Sequence, residues 1–346
     1  MKILFSSLFV LAISLCSAQE DPQTVKYTEV EVDTLLVGEY NIRAITIDGS
    51  TLHYGADKSR VGSINIATKS LMEYKYEVPN IEFRSIANNR TDLFALSAGT
   101  PAILTRINKI DGKMRVVYDD YNPKIFYDSM KFWSEYEGIA FGDPMNGCMT
   151  IIITRDGGSK WRRLPCSIVP FPNEGEAAFA ASNTGIVTVG DRTFIATGGS
   201  SSRILYSPDK GRKWGIIETP IVSGSSTQGI YSMDFYDFKY GFITGGDYLH
   251  PEINTGNKAL TTDGGKTWKL VADGEAFGYA SCVQFIPDSD GKALVTVGPS
   301  GLYYSADCGN SWKLLLEDAT LNTIRFQNPR TAFAAGKDKI IKITFK

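Results

Sequence analysis

Histidine is almost missing from this 346-residue chain, which has only His53 and His250. A histidine-rich zinc centre is therefore excluded, and no metal or other cofactor is expected. A large net charge is also missing: 36 Lys and Arg against 38 Asp and Glu leave −2. A nucleic-acid binder or an anionic-membrane binder acting through bulk charge is excluded by that balance. No Gly-x-Gly-x-x-Gly or Walker pattern, no Cys-x-x-Cys and no haem motif occurs, so nucleotide and redox chemistry lack their usual residues. Beyond the N-terminus no apolar run approaches 18 residues, so the mature chain is expected to have no membrane span.

What is present favours β-structure: 33 Gly, 17 Tyr and 18 Phe, with 43% apolar residues, enough to bury a full core. Residues 1–18 read as a secretion signal. Lys2 forms the charged start, Ile3–Leu15 the apolar run, and Cys16-Ser17-Ala18 the small-residue end. Cleavage after Ala18 leaves Gln19 first and a soluble product outside the cytoplasm, periplasmic or extracellular. Residues 19–346 are expected to form one domain, working as a monomer. Four cysteines remain after cleavage. Cys148 and Cys166 flank Gly157 symmetrically in a predicted hairpin, where opposed Cα atoms lie about 5.5 Å apart. A disulfide and two buried free thiols are both open there. Cys282 and Cys308 fall at opposite ends of one repeat and are expected not to pair.

Internal repetition decides the fold. Ser/Thr-x-Asp-x-Gly-x-x-Trp occurs four times, with Asp156 and Trp161, Asp209 and Trp214, Asp263 and Trp268, and Asp307 and Trp312. In each, the Asp carboxylate is expected to accept turn amides, Gly to supply a positive φ, and Trp to cover the hairpin. These aspartates are read as stability residues. A second unit, an apolar strand ending in Gly, recurs seven times, from Leu52-His53-Tyr54-Gly55 to Ala332-Phe333-Ala334-Ala335-Gly336. At about 47 residues each, the units match four-stranded propeller blades. The expectation is an all-β, seven-bladed propeller of four-stranded antiparallel blades. The N-terminal strand Thr28–Leu36 is expected to complete the last blade and leave no open edge.

The four turns resemble the Asp-boxes of sialidase-like (BNR-repeat) propellers, where the box is structural. The segments Gly138–Pro144, Gly175–Thr184, Ala196–Gly199 and Gly245–Tyr248 resemble a bacterial family of exported Asp-box propellers, often described as photosystem II stability/assembly factor-like or as "oxidoreductase". That resemblance implies a binding or assembly platform. The oxidoreductase description finds no supporting residues.

Aligning the first strands places Arg43, Arg84, Lys131, Ala180, Asp234, Gln284 and Arg325 at one register facing the axis. Arg43, Arg84, Lys131 and Arg325 would form a basic crescent that needs anionic partners. Those are internal carboxylates (Asp143, Glu176, Asp234, Asp247) or a carboxylate on a ligand, which Arg grips bidentately. The loop Gly246–Asn257 is the longest between second and third strands, and it adds Asp247 and Tyr248 to the candidate ligand site. The leading reading is a non-catalytic propeller holding an acidic peptide or other anionic ligand. The alternative is a glycan-active enzyme, a sialidase-like hydrolase or polyuronate lyase, drawing on Asp143, Glu176, Asp247, Tyr248 and His250. No catalytic residue is assigned with it, because there is no Phe-Arg-Ile-Pro, and no catalytic Asp loop or Tyr/Glu pair can be identified.

Overall fold

The computed structural model describes residues 26–346, and the secretion signal read at 1–18 lies outside them. Apolar residues alternate with polar ones in short segments broken by Gly, Asn and Asp, and every regular element among the described residues is a strand. The strands form six hydrogen-bonded antiparallel sheets in an all-β propeller, the innermost strands packing side by side around an axis. Four sheets have four strands each: Phe83–Asn88 to Met114–Asp120, Tyr127–Phe132 to Arg162–Arg163, Ile186–Val189 to Gly215–Glu218, and Cys282–Phe285 to Lys313–Leu316. A fifth, Gln228–Phe235 to Lys269–Leu270, is extended to six strands by the short pieces Glu176–Ala177 and Gly198–Gly199.

The sixth sheet corrects the blade count from the expected seven to six. Val30–Asp48 is one uninterrupted 19-residue strand. Its first part pairs with Thr331–Phe345, from Val30 opposite Phe345 to Asn41 opposite Lys337, and its second part pairs with Thr51–Ala56. The repeat unit near residues 321–345 therefore has no sheet of its own. It is joined to the first unit through a strand that satisfies the edge hydrogen bonds of both.

Each Asp turn is built from contacts within five residues. Asp156 Oδ1 accepts Lys160 N–H (2.9 Å) and Thr154 Oγ1–H (3.0 Å), while Thr154 Oγ1 accepts Gly158 N–H (2.9 Å). Asp307 accepts Ser311 N–H (2.8 Å) and Ser311 Oγ–H (2.6 Å). Partial burial alone would raise these carboxyls, but the donated bonds outweigh it and all four aspartates sit below the ordinary range. The glycine is doubly required. Gly158 has φ +79°, and a Cβ there would lie 2.2 Å from the Phe94 ring. Trp161 closes the turn against Phe132, edge to face at 5.8 Å, and Trp312 does the same to Phe277 at 5.0 Å. Cys148 and Cys166 are joined by a disulfide, Cα atoms 5.5 Å apart, while Cys282 and Cys308 are free.

Candidate functional site

The expected first strand Phe179-Ala180-Ala181 is not a strand, since regular pairing there begins at Ile186–Val189. Residues 178–184 instead cross the axis, bonding to inner strands on every side. Ser182 Oγ donates to Ser281 O (2.6 Å), Asn183 Nδ2 to Ile86 O (2.6 Å) and Thr184 Oγ1 to Ser232 Oγ (2.8 Å). Met130 N–H donates to Asn183 Oδ1 (3.0 Å), and Arg325 Nη2 donates to Ser182 O (3.0 Å). A polar segment can fill the axis because its groups find partners there. It turns a potential pore into a pocket closed at one end.

That pocket has a volume of about 470 Å³, and Ala178 to Ala181 line it. Arg43 and Arg84 supply its charge; Phe179, Tyr231, Tyr248 and Tyr279 supply an aromatic wall. Phe179 stacks on Tyr231 at 4.0 Å, and Tyr279 and Tyr248 meet Tyr231 edge-on at 4.7 and 6.2 Å. The side chains arrive through β-bulges, which let a residue leave the ladder and re-aim its side chain. Register shifts leave Arg43, Arg84, Tyr231 and Asn322 unpaired in their strands, and all four line the pocket.

Bulges also correct the aligned register. In the strand Tyr127–Phe132 the bulged residue is Asp128. Lys131, Asp234 and Arg325 each sit three residues beyond the bulge of their own strand. The four bases are therefore split into two pairs. Arg43 neighbours Arg84 in the pocket, whereas Lys131 neighbours Arg325 and Asp234 deeper along the axis. Burial, then Arg325, draws the Lys131 amine down to about 8. Burial pushes Asp234 up to about 6, against the pull of Phe285 N–H (2.7 Å). Arg325 is consumed by neutral acceptors, Ile324 O (2.7 Å), Thr323 Oγ1 (3.0 Å) and Ser182 O, and serves the pocket floor.

The guanidinium of Arg43 has no ion pair among the described residues. Its Nη1 reaches Ala181 O at only 3.4 Å, and its buried Nε has no acceptor. Burial and then Arg84 lower its proton affinity. Arg84 gives Nε and Nη2 to a single oxygen, Glu82 Oε2, at 2.8 and 2.6 Å, and lies 5.7 Å from the Phe126 ring. Burial lifts the Tyr279 hydroxyl to about 12, with Arg43 and Arg84 both close enough to favour its anion.

The carboxylates of the glycan-active reading do not converge. Glu176 is fully engaged by Arg203, Thr197 Oγ1 (2.7 Å) and Asn173 N–H (2.8 Å). Asp143 accepts Ala178 N–H (2.8 Å), and burial raises it. Asp247 caps Leu249 N–H (3.0 Å) outside the pocket lining, so only Tyr248 of that loop reaches the pocket. His250 is exposed, 3.8 Å from Glu252. Asp128 was not among the residues singled out by the sequence. It is 1% exposed with no donor to either oxygen, and burial followed by Asp143 holds its carboxyl well above the usual range despite Arg84.

No protein-family model and no curated protein sequence matches the chain. Solved structures do. YCF48 bound to a D1 peptide aligns with TM-score 0.65 and 13% identity over 93% of this chain and 98% of that one. YCF48 from Cyanidioschyzon merolae aligns with TM-score 0.62 and 12% identity over 92% and 99%. U3-55K aligns with TM-score 0.66 and 10% identity over 91% and 98%. At these identities the likeness is one of fold: this chain is a β-propeller over nearly its whole described length.

Proposed function

We propose that this chain is an exported, non-catalytic binding or assembly propeller that holds an anionic segment of a partner polypeptide in the axial pocket. The observation that carries the reading is Arg43, a half-buried guanidinium with no ion pair among the described residues, beside a second arginine. Uncompensated buried charge is costly unless a counter-charge arrives, and a ligand carboxylate matches two guanidiniums. The peptide held by one of the similar propellers supports a polypeptide ligand. The Asp turns are read as Asp-boxes of a sialidase-like propeller, with a structural role. Glycoside chemistry is not part of the proposal, because Glu176 and Asp143 are already engaged.

The test is capture of a cross-linked partner from envelope extract by the tagged protein, compared with Arg43→Ala plus Arg84→Ala. Loss of at least tenfold in the variant is expected. Unchanged capture would refute the site. Export is tested separately by N-terminal sequencing of the mature protein, which is expected to begin at Gln19.

A further inference from the structure

We propose that the ligand is an extended peptide segment bearing an acidic residue in the axial pocket and a basic residue a few positions along, the base meeting Glu82 in a second groove. This inference rests on the reading above and extends it to the sequence of the ligand. A cavity of about 440 Å³ lies beside the pocket, lined by Pro79, Glu82, Gly99 and Pro101 together with Arg84 and Phe126. Arg84 and Phe126 also line the axial pocket, so the two cavities share one wall. A chain leaving the pocket across Arg84 and Phe126 enters the groove directly. A single acidic sugar would fill only one of the two.

The shared wall has opposite free ends. Both Arg84 contacts fall on Glu82 Oε2, and neither Glu82 Oε1 nor Arg84 Nη1 has a hydrogen bond among the described residues. Glu82 lines only the groove, and its side chain is 48% exposed. One oxygen therefore remains for a cation on the groove side, while Arg84 and Arg43 present donors on the pocket side. Both main-chain groups of Ala98, in the groove wall, are already paired. Ala98 N–H donates to Glu82 O (2.9 Å), and Ala98 O accepts Tyr127 N–H (2.8 Å). The segment is not recognised as an added strand. It is read by its charges and by apolar contact with Pro79, Pro101 and the Phe126 ring.

The probe is a library of displayed random heptapeptides panned on the full chain, on Glu82→Lys and on Arg43→Ala. Wild-type protein is expected to enrich peptides with an acid and, about two to four residues away, Lys or Arg. On Glu82→Lys the acid should persist while the basic preference falls at least fivefold; on Arg43→Ala the acidic preference should fall. For one enriched peptide, replacing its base by Gln should weaken binding about tenfold to wild type and not at all to Glu82→Gln. An unchanged basic preference on Glu82→Lys overturns this inference and leaves the pocket reading standing. Enrichment without acids, or indifferent to Arg43→Ala, or no enrichment at all, overturns both.

Discussion

Removing the Cys148–Cys166 disulfide should destabilise the propeller and loosen its pocket together. The bridge closes a loop of sequence separation 18. By loop-closure entropy, such a link constrains the unfolded chain by about 3 kcal/mol at 25 °C. With a urea slope near 3 kcal/mol/M, that is a shift of about 1 M in the unfolding midpoint. Geometry ties the loss to function. Past Cys166 the chain runs through Val169, buried in the core beside Leu164, to Glu176 and then to Ala178 to Ala181, which line the pocket. Freeing Cys166 releases one anchor of that path, while the Glu176–Arg203 pair holds the other. The assay is urea unfolding of the wild type, the wild type with reductant, and Cys148→Ser plus Cys166→Ser, each with peptide affinity measured on the folded protein. Both reduced forms should shift alike and lose affinity severalfold. Midpoints agreeing within about 0.2 M would refute the reasoning, since the loop would then have no entropy to lose.

Asp128→Asn should be stabilising at neutral pH. The folded carboxyl titrates above its ordinary value, so its penalty is absent below the unfolded pKa and grows as pH rises toward the folded one. The variant's gain in melting temperature should be present at pH 8 and vanish near pH 4; a gain independent of pH would contradict the assignment. Asp156→Ala and Asp307→Ala should each cost about 1 kcal/mol in chemical unfolding, as loss of a cap does. Gly158→Ala should cost more than either, because its Cβ meets Phe94. Lys131→Met should raise stability at pH 7, with the gain shrinking as pH climbs past 8. The wild-type amine is disfavoured when charged, and calorimetry at pH 7 and 9.5 measures the difference.

How far the molecule could be read from its residues depended on the range of the contacts involved. The Asp turns were legible because Asp156, Thr154, Gly158 and Lys160 bond only to one another. Arg43 and Arg84 were legible as axial residues, but their grouping with Lys131 and Arg325 was not. A β-bulge shifts register by one residue and leaves no mark in the apolar alternation of Ile42-Arg43-Ala44 or Phe83-Arg84-Ser85. Comparing distances to the Gly that ends each second strand, such as Gly142 and Gly245, could have exposed the shift and with it Tyr231.

By itself, then, the amino-acid order determined the β-character, the repeat and the hairpin turns, since each follows from residues within one turn or strand. The N-terminal strand was expected to pair with the last unit and does so, but only the tertiary structure decided that it runs on unbroken to Asp48 and joins the first unit to the same sheet. It also decided that residues 178–184 leave their sheet to stopper the axis, and that Arg43 is left without an ion pair among the described residues. Those outcomes depend on partners more than a hundred residues away, as between Ser182 and Arg325. Which distant groups meet is settled by the closing of the ring and by no local preference.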